Sequence, residues 1–260
     1  MDSADALAQS LVGPGITISN AQFTGNTQSS GYFSGGYATG NDIASGILLT
    51  TGLASSAGSN SNTSESTSTN FGGAGDSTLN SLIPGYSTYD AAVLSFDFVS
   101  SGDSAYFNYA FASEEYVEWV GSSFNDVFGF FVDGENVALL PNSDTPVAIN
   151  TVSNVNNADL FNDNSKGAGT PYAFEYDGFT DVFTAEITGL EAGQSYNIMM
   201  GIADAGDTYY DSAVFIQGGS FSQSIVDIAP SGAPEPKAML LILVSMTGIF
   251  YKSRSAFRHS

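Results

Sequence analysis

The sequence predicts an all-β protein, a jelly-roll-like β-sandwich with a short N-terminal helix and an apolar C-terminal anchor helix. Aromatic residues are frequent, with 19 Phe and 13 Tyr, and so is glycine, with 29 residues. This mixture is typical of strands joined by tight turns. Short apolar or alternating runs recur with turn residues between them, which favours two packed sheets. The 260 residues include no cysteine, so packing must stabilise the domain without disulfides.

A short helix is predicted over residues 2–12. Asp2 and Asp5 lie near the helix end where the backbone carries positive partial charge. Leu7 and Leu11 lie one turn apart and give the helix an apolar face. The Gly-Pro-Gly sequence that follows ends it.

Strand patterns fill the rest of the body. Phe107, Tyr109 and Phe111 alternate with other residues and so lie on one face of a strand. Asp133-Gly134 is a pair typical of a type I′ hairpin turn. The predicted strands begin with Ile16, Ile18 and Phe23 and continue over residues 46–51, 93–99, 105–111, 127–132, 136–140, 147–152, 172–176, 182–187, 196–202 and 213–217.

One long internal segment, residues 54–78, consists almost entirely of Ser, Gly, Asn and Thr. Such a composition is too polar to form a core. It predicts a mobile surface loop, with a contact surface as the alternative.

The charge of the chain is strongly negative and unevenly distributed. Of the 27 acidic residues only Glu235 lies beyond residue 230, which leaves 26 acidic residues against Lys166 before it, a formal charge of −25. Phosphate contacts dominate nucleic-acid affinity, so this balance excludes DNA and RNA as partners. Divalent cations are the natural counter-partner, and solubility of an extracellular protein is the alternative explanation.

Two acidic clusters lie in segments that follow or precede strands, one within residues 111–131 and one within residues 202–215. Loops at one end of a sandwich can converge, and crowded carboxylates repel one another unless a cation binds. Six or more hard oxygen ligands suit calcium, although the EF-hand spacing is absent and solvated acidic loops are the alternative. No organic cofactor is indicated. The candidate calcium ligands are Glu114, Glu115, Asp126, Asp204, Asp207 and Asp211.

The residue inventory excludes nucleophilic triads. The chain has no cysteine, and its single histidine, His259, lies in the basic tail. A carboxylate-pair glycoside hydrolase stays open as an alternative, with Glu114 or Glu115 paired with Asp126 or Asp204.

A carbohydrate-binding module is a further alternative. Trp119 and Tyr116 are aromatic residues that can stack on a sugar ring. Their other interpretation is burial in the core. We therefore expect a non-enzymatic protein and keep both carbohydrate functions as alternatives.

The C-terminal tail has three parts with different physical properties. We expect a domain over residues 1–222, a Pro/Gly linker over 223–236 and an anchor segment over 237–260. Residues 238–251 are uncharged, and as a helix at about 1.5 Å per residue they reach only about 21 Å, short of a bilayer core of about 30 Å. A buried helix of a soluble core is the alternative. The predicted anchor residues are Ala238, Leu240, Leu241, Ile242, Leu243, Val244, Ile249, Phe250, Lys252 and Arg254.

The order of a Pro-Glu-Pro tripeptide, an apolar run and a basic end resembles the PEP-CTERM sorting signal of Gram-negative bacteria. The tripeptide here is Pro234, Glu235 and Pro236. The resemblance implies an exosortase-type processing enzyme as a partner. It also implies transient anchoring in the inner membrane, with the basic end in the cytoplasm, and delivery to the outer surface or the extracellular matrix.

An N-terminal export signal should accompany such a tail. The first ten residues, MDSADALAQS, have neither a basic start nor an apolar stretch. We therefore expect the true start of the precursor to lie upstream, with a mature or misassigned starting methionine as the alternative.

Several motifs of the body together resemble the choice-of-anchor L family. They are ALAQSLVGPGITISNAQFTG from Ala6, SGILLTTG from Ser45, FASEEY, SFNDVFGFF, DGFT from Asp177 and IADAGDTYYDSAVF. The resemblance implies a secreted bacterial domain with an interchangeable C-terminal anchor and no assigned enzymatic activity. We expect an adhesive or structural protein of the cell surface or biofilm matrix, with polysaccharide or surface proteins as partners.

Overall fold

Two antiparallel β-sheets lie face to face in the computed structural model, which describes residues 3–36, 42–58 and 61–228. The predicted sorting tripeptide and the anchor residues 238–254 lie outside these described residues. Among the residues that are described, none of the helices combines the length and apolar character needed to span a bilayer.

The elements follow one another mostly as strands. The helices are α1 (Ala4–Leu11) and α2 (Ser77–Asn80), with 3₁₀ turns at Ala54–Ser56, Ala158–Leu160 and Lys166–Ala168. The strands are β1 (Ile16–Thr24), β2 (Ser30–Ser34), β3 (Ser45–Thr50), β4 (Thr88–Ser100), β5 (Ser104–Ser113), β6 (Val127–Val132), β7 (Glu135–Asn136), β8 (Phe161–Asp163), β9 (Gly178–Thr180), β10 (Phe183–Thr188), β11 (Ser195–Ala205) and β12 (Ser212–Gln217).

The first sheet has the strand order β1-β4-β11-β6-β7, and the second has the order β2-β3-β12-β5-β9-β8. Strand β10 also pairs with β5, beside residues 104–109, whereas β9 pairs with residues 112–113. Two antiparallel sheets preceded by a short helix confirm the all-β prediction. The finer prediction of jelly-roll connectivity stays a prediction.

Helix α1 begins at a side-chain cap, because the Ser3 hydroxyl accepts a hydrogen bond from the Ala6 backbone N–H at 3.1 Å. Its apolar face buries Leu7 and Leu11 in the core between the sheets. The helix predicted from the spacing of these two leucines is therefore confirmed.

The core between the sheets is rich in aromatic rings. Phe107 of β5 packs edge-on against Phe130 of β6, with ring centroids 4.5 Å apart. Tyr109 and Phe128 lie 5.0 Å apart in the same layer. The alternation that predicts one apolar face on β5 is confirmed by these contacts.

The outer faces of both sheets are covered as well. Leu79 of α2 packs with Val93 and Phe131 on the outer face of the first sheet. Phe174 packs on Phe215 on the outer face of the second sheet, with ring centroids 6.3 Å apart. This double cover explains why β6 and β12 are buried along their whole length.

Two predicted strands are wrong. Residues 147–152 form turns, and residues 172–176 form bends outside the ladders. Their apolar side chains are nevertheless buried: Val147 and Ile149 lie between the sheets, and Phe174 lies on an outer face. An alternation of apolar and polar residues indicates that one side of a segment is buried. It does not show that the backbone pairs with another strand.

The short strands carry the weakest sequence signal. Residues 136–140 were predicted to return from the Asp133-Gly134 turn, but only Asn136 belongs to β7. Both turn residues have positive φ, 47° and 90°, as a type I′ turn requires. Strands β2, β8 and β9 have no counterpart in the prediction, because strands of three to five residues show too few alternations.

The first residues of the predicted linker contact the body. The side-chain Nδ2 of Asn108 donates to the carbonyl of Val226 at 2.8 Å and to Oε1 of Gln217 at 2.9 Å. Residues 223–228 therefore run along the second sheet before the part of the chain that the structure leaves undescribed.

Candidate functional site

One end of the sandwich, the acidic end, holds eight buried acidic side chains, each at most 6% exposed. Strands β5 and β11 end here and strands β4, β6, β9 and β12 begin here, because neighbouring strands run antiparallel. The eight residues are Asp90, Glu114, Glu115, Asp126, Glu175, Asp177, Asp204 and Asp211.

The strand register places Glu114 between two other acidic residues. Strand β5 pairs with β12 on one side and with β9 on the other. Continuing both ladders by one residue brings Glu114 opposite Asp211 and opposite Asp177. The Glu114 backbone N–H accordingly donates to the Asp211 carbonyl at 3.1 Å. Side chains at such opposite positions point to the same face, with Cβ atoms about 5 Å apart.

Strand alternation separates Glu114 from its neighbour Glu115. Glu114 lies on the same face as Ala112, which belongs to the outer apolar cluster of the second sheet. Glu115 lies toward Asp126 and Asp204, between the sheets. The acidic end therefore contains an outer group (Glu114, Glu175, Asp177, Asp211 and the amide of Asn62) and an inner group (Glu115, Asp126 and Asp204).

Asp126 is the best-bonded member of the inner group. Its Oδ1 accepts from the backbone N–H of Ala205 at 2.9 Å, and its Oδ2 accepts from the Ser212 hydroxyl at 2.6 Å. The other two members are not satisfied: Oδ1 of Asp204 and Oε2 of Glu115 have no hydrogen-bond partner among the described residues. The inner group thus has fewer donors than acceptor atoms.

Burial raises the pKa values of the inner group. The pKa of Asp126 is raised to about 8, because burial outweighs the hydrogen bonds from Ser212 and Ala205. Burial, followed by the charge of Asp126, raises the pKa of Glu115 to about 9 and that of Asp204 well above its usual range. These carboxyls therefore retain protons near neutral pH.

Burial also raises the pKa values of the outer group, and charges and hydrogen bonds modify the size of this effect. Burial, then the charges of Asp177 and Glu175, raises the pKa of Glu114 to about 10. The pKa of Asp177 is raised to about 7 by burial against a hydrogen bond from Asn62. Burial raises the pKa of Asp211 to about 6, against hydrogen bonds from Thr69.

Four oxygen atoms of the outer group lack a hydrogen-bond partner within the described ranges: both Oε atoms of Glu114, Oδ2 of Asp177 and Oδ1 of Asn62. Asn62 is only 5% exposed. Its Nδ2 donates to Oδ1 of Asp177 and to the carbonyl of Asn164, the latter at 3.1 Å. Buried polar atoms are nearly always paired, so four orphaned oxygens in contacting side chains require an explanation.

Residues 61–76, the polar strip, cover the outer group. Glu175 organises their first part, since its Oε1 accepts from the Ser64 backbone N–H at 2.8 Å and from the Thr67 hydroxyl at 3.2 Å. The Thr63 hydroxyl donates to the same carboxylate at 3.0 Å. Charge-assisted bonds of this kind are about twice as strong as neutral ones.

Two more acidic residues bind the rest of the strip. Oδ1 of Asp211 accepts from the Thr69 backbone N–H at 2.7 Å, and Asp90 accepts from the backbone N–H groups of Phe71 and Gly73. The prediction of a surface loop is confirmed for this strip, which contains no helix or strand and is mostly exposed or half-buried. Its predicted mobility stays a prediction, and these hydrogen bonds tie its backbone to the acidic end. Ser and Thr residues cannot form a core, but their donors are satisfied by buried carboxylates.

Replacement of Glu175 by Gln should release the start of the polar strip. The amide retains one acceptor atom for several donors, so we expect unfolding free energy to fall by about 1–2 kcal/mol. Limited proteolysis should then cut within residues 61–71 faster than in the unmodified chain. Glu191→Gln, at an exposed glutamate, is the matched control. Equal cleavage rates in the two variants would show that Glu175 does not hold the strip.

Gly52 allows the Asp211 carboxylate to approach the end of β3. A Cβ atom at Gly52 would overlap that carboxylate, so no other residue fits without displacing Asp211. Gly52 ends the motif SGILLTTG. A motif that looks structural in the sequence thus shapes the acidic end.

The aromatic candidates divide into core and surface. Tyr116 is fully buried and packs on Phe161 with ring centroids 4.7 Å apart, so it cannot stack on a sugar. Trp119 is half-buried, and its ring lies 5.9 Å from that of Tyr210. Tyr209, which the sequence analysis did not select, is 55% exposed at the same end.

All six predicted calcium ligands lie at the acidic end, but they do not surround one position. Five of them are buried, Asp207 is half-buried, and Glu114 and Glu115 have different acidic neighbours. Among the residues that the structure describes, no three acidic or histidine side chains are arranged to hold a metal ion.

Sequence reasoning missed Asn62, Glu175 and Asp177. Asp177 could have been selected from the sequence, because it is the first residue of the motif DGFT. Glu175 was hidden in a run predicted as a strand, and Asn62 in a segment predicted as a loop. Their roles depend on contacts across 100 or more residues, such as the 115-residue separation of Asn62 and Asp177.

Comparison with known proteins identifies the domain. No curated protein and no solved structure matches the chain. The family model of the choice-of-anchor L domain matches residues 2–222, which include the whole acidic end. Membership in this family indicates an exported or surface protein. The chain therefore belongs to the choice-of-anchor L domain family.

Proposed function

We propose that the chain is an exported cell-surface or extracellular-matrix protein of a Gram-negative bacterium, with an adhesive or structural role and no catalytic activity. The family match over residues 2–222 carries the proposal. The formal charge of −22 supports it, because such a charge keeps an extracellular domain soluble and repels nucleic acid.

The sequence of the tail supports the route to the surface. Pro234, Glu235 and Pro236 precede the apolar run 238–251 and a basic end. This order fits processing by an exosortase-type enzyme after transient anchoring in the inner membrane.

The burial of the acidic end supports a non-enzymatic role. A glycoside hydrolase presents two carboxyl groups to a sugar in an open groove. Glu114, Glu115, Asp126 and Asp204 are at most 1% exposed, so in this conformation a polysaccharide does not reach them. The same residues are better suited to holding the sandwich end in one shape, and a calcium-ordered acidic end is part of the proposal.

Surface delivery predicts a clear result in intact cells. For the protein produced from its native locus, external protease should degrade the domain, and its mass should indicate cleavage near Pro234-Glu235-Pro236. Glu235→Ala should leave a larger, cell-associated product, whereas Asp227→Asn, a nearby acidic position, should behave like the unmodified protein. Uncleaved protein in the cytosol of unmodified cells would contradict the proposal.

Carbohydrate binding is a second candidate, favoured by the exposure of Tyr209 at the acidic end. An exposed tyrosine can stack on a sugar ring. On a glycan array, Tyr209→Ala should then lose the signal of the unmodified chain, and Val155→Ala, at another exposed apolar position, should keep it. Turnover of any polysaccharide by the unmodified chain would contradict the non-enzymatic proposal.

A further inference from the structure

The four orphaned oxygens of the outer group belong to three neighbouring side chains, Asn62, Asp177 and Glu114. Asn62 donates to Asp177, and Asp177 lies opposite Glu114 where β9 and β5 meet. All three residues are at most 5% exposed. Two carboxyl groups directly opposite each other destabilise a sheet when both are ionised, unless a proton or a cation neutralises them.

The described residues offer little neutralisation, because the charge of Lys166 lowers the pKa of Asp177 but burial outweighs it. The Thr67 backbone N–H lies toward Glu114 and lowers the pKa of that carboxyl, but burial outweighs this effect. The Thr63 and Thr67 hydroxyls and the Ser64 backbone N–H bond to Glu175. Lys166, the single basic residue before residue 230, binds Glu65 at 3.6 Å on the surface, where both side chains are at least 40% exposed.

The donor atoms themselves indicate what binds. In the outer group, every unpartnered atom is an oxygen, supplied by two carboxyl groups and one amide. Calcium accepts bidentate carboxylates, amide oxygens and backbone carbonyls in flexible geometry, whereas magnesium requires a near-octahedral shell and usually keeps several waters.

We propose that Glu114, Asp177 and Asn62 bind one calcium ion on the outer face of the second sheet, beneath the polar strip. This inference rests on the proposed calcium-ordered acidic end and assigns its ligands. Because Asn62 belongs to the strip and Glu114 follows β5, the ion cross-links the strip to the sheet. The inner group takes no part in this site.

Titration calorimetry of the 260-residue chain, first treated with EDTA and then dialysed, tests the site. We expect one calcium ion per chain with a Kd on the order of 0.1–1 mM, the range of extracellular modules. At about 100-fold excess over Kd, calcium should raise Tm by about 5–10 °C. It should also slow proteolysis within residues 61–71, while magnesium at the same concentration should do neither.

Two variants separate the proposed site from other acidic positions. Glu114→Gln should weaken calcium binding at least about ten-fold. Asp177→Asn should have the same effect, and it replaces Glu114→Gln as the test if that variant does not fold. Glu191→Gln, at an exposed glutamate that does not act on Glu114 or Asp177, should bind like the unmodified chain.

The outcomes distinguish this site from the proposed function. Absence of calcium binding by the unmodified chain would overturn the inference, and so would an unchanged Kd in Glu114→Gln. Neither result bears on export. Export is tested independently by the accessibility of the domain to external protease and by the mass of the processed protein.

Discussion

In metal-free buffer, the stability of the domain should fall as pH rises from about 5 to about 9, by on the order of 5 kcal/mol. The buried carboxyls of the acidic end are the cause, in the outer group and in the inner group. Asp126 has a pKa of about 8 and Glu115 of about 9 in the folded chain, and burial raises the pKa of Asp204 as well.

The direction follows from proton binding. Each of these carboxyls holds its proton more tightly in the folded chain than in the unfolded chain. Below a pH of about 4 both states are protonated, and the group costs nothing. As pH rises, the unfolded chain releases its protons first, so stability declines until pH passes the folded pKa.

Urea unfolding in EDTA at several pH values measures this decline. Asp204→Asn removes one ionisable group at nearly constant volume, so the variant should lose less stability toward alkaline pH and be more stable than the unmodified chain at high pH. Asp159→Asn, at an exposed aspartate, should follow the unmodified chain. A stability that stays constant over this pH range, or an equal slope in Asp204→Asn, would contradict the prediction.

The fold follows from local patterns to a large extent. The leucine spacing in α1, the alternation in β5 and the Asp133-Gly134 turn each act over a few residues, and each prediction is confirmed. Residues 172–176 show the limit of such patterns. Their alternation reflects packing on the outer face of the second sheet, which depends on a neighbouring sheet and not on the segment itself.

The site was harder to predict than the fold. Acidic residues beside strand ends could be expected to meet, and the structure brings all six candidates to one end. Their division into two groups could not be expected, because it depends on which face Glu114 takes. That face is fixed by the pairing of β5 with β9 and β12, which are far away in the chain.

The polar strip shows why composition alone was misleading. A segment of Ser, Thr, Gly and Asn cannot be held by apolar burial, so its composition predicts a mobile surface loop. Glu175, Asp211 and Asp90 supply acceptors that such a segment needs. The acidic end and the strip thus depend on each other: the carboxylates order the strip, and the strip shields the carboxylates from water.

Replacement of Phe107 by Ala should cost about 3–5 kcal/mol of unfolding free energy. Phe107 is 1% exposed and lies at the centre of the layer between the sheets. The centroid of its ring lies 4.5 Å from that of Phe130 in the first sheet and 5.8 Å from that of Phe221. Truncation leaves a cavity where two sheets meet, and aromatic neighbours on both sides limit how far the site can collapse.

Urea unfolding of Phe107→Ala at fixed pH, with Tyr209→Ala as an exposed aromatic control, measures this cost. The control should change stability by less than about 0.5 kcal/mol, and Phe107→Leu should recover part of the loss because it refills part of the volume. A cost below about 1 kcal/mol for Phe107→Ala would mean that this aromatic layer does not hold the sheets together. The buried carboxyls of the acidic end require such a layer, because their burial opposes folding and the adjoining apolar core must offset that cost.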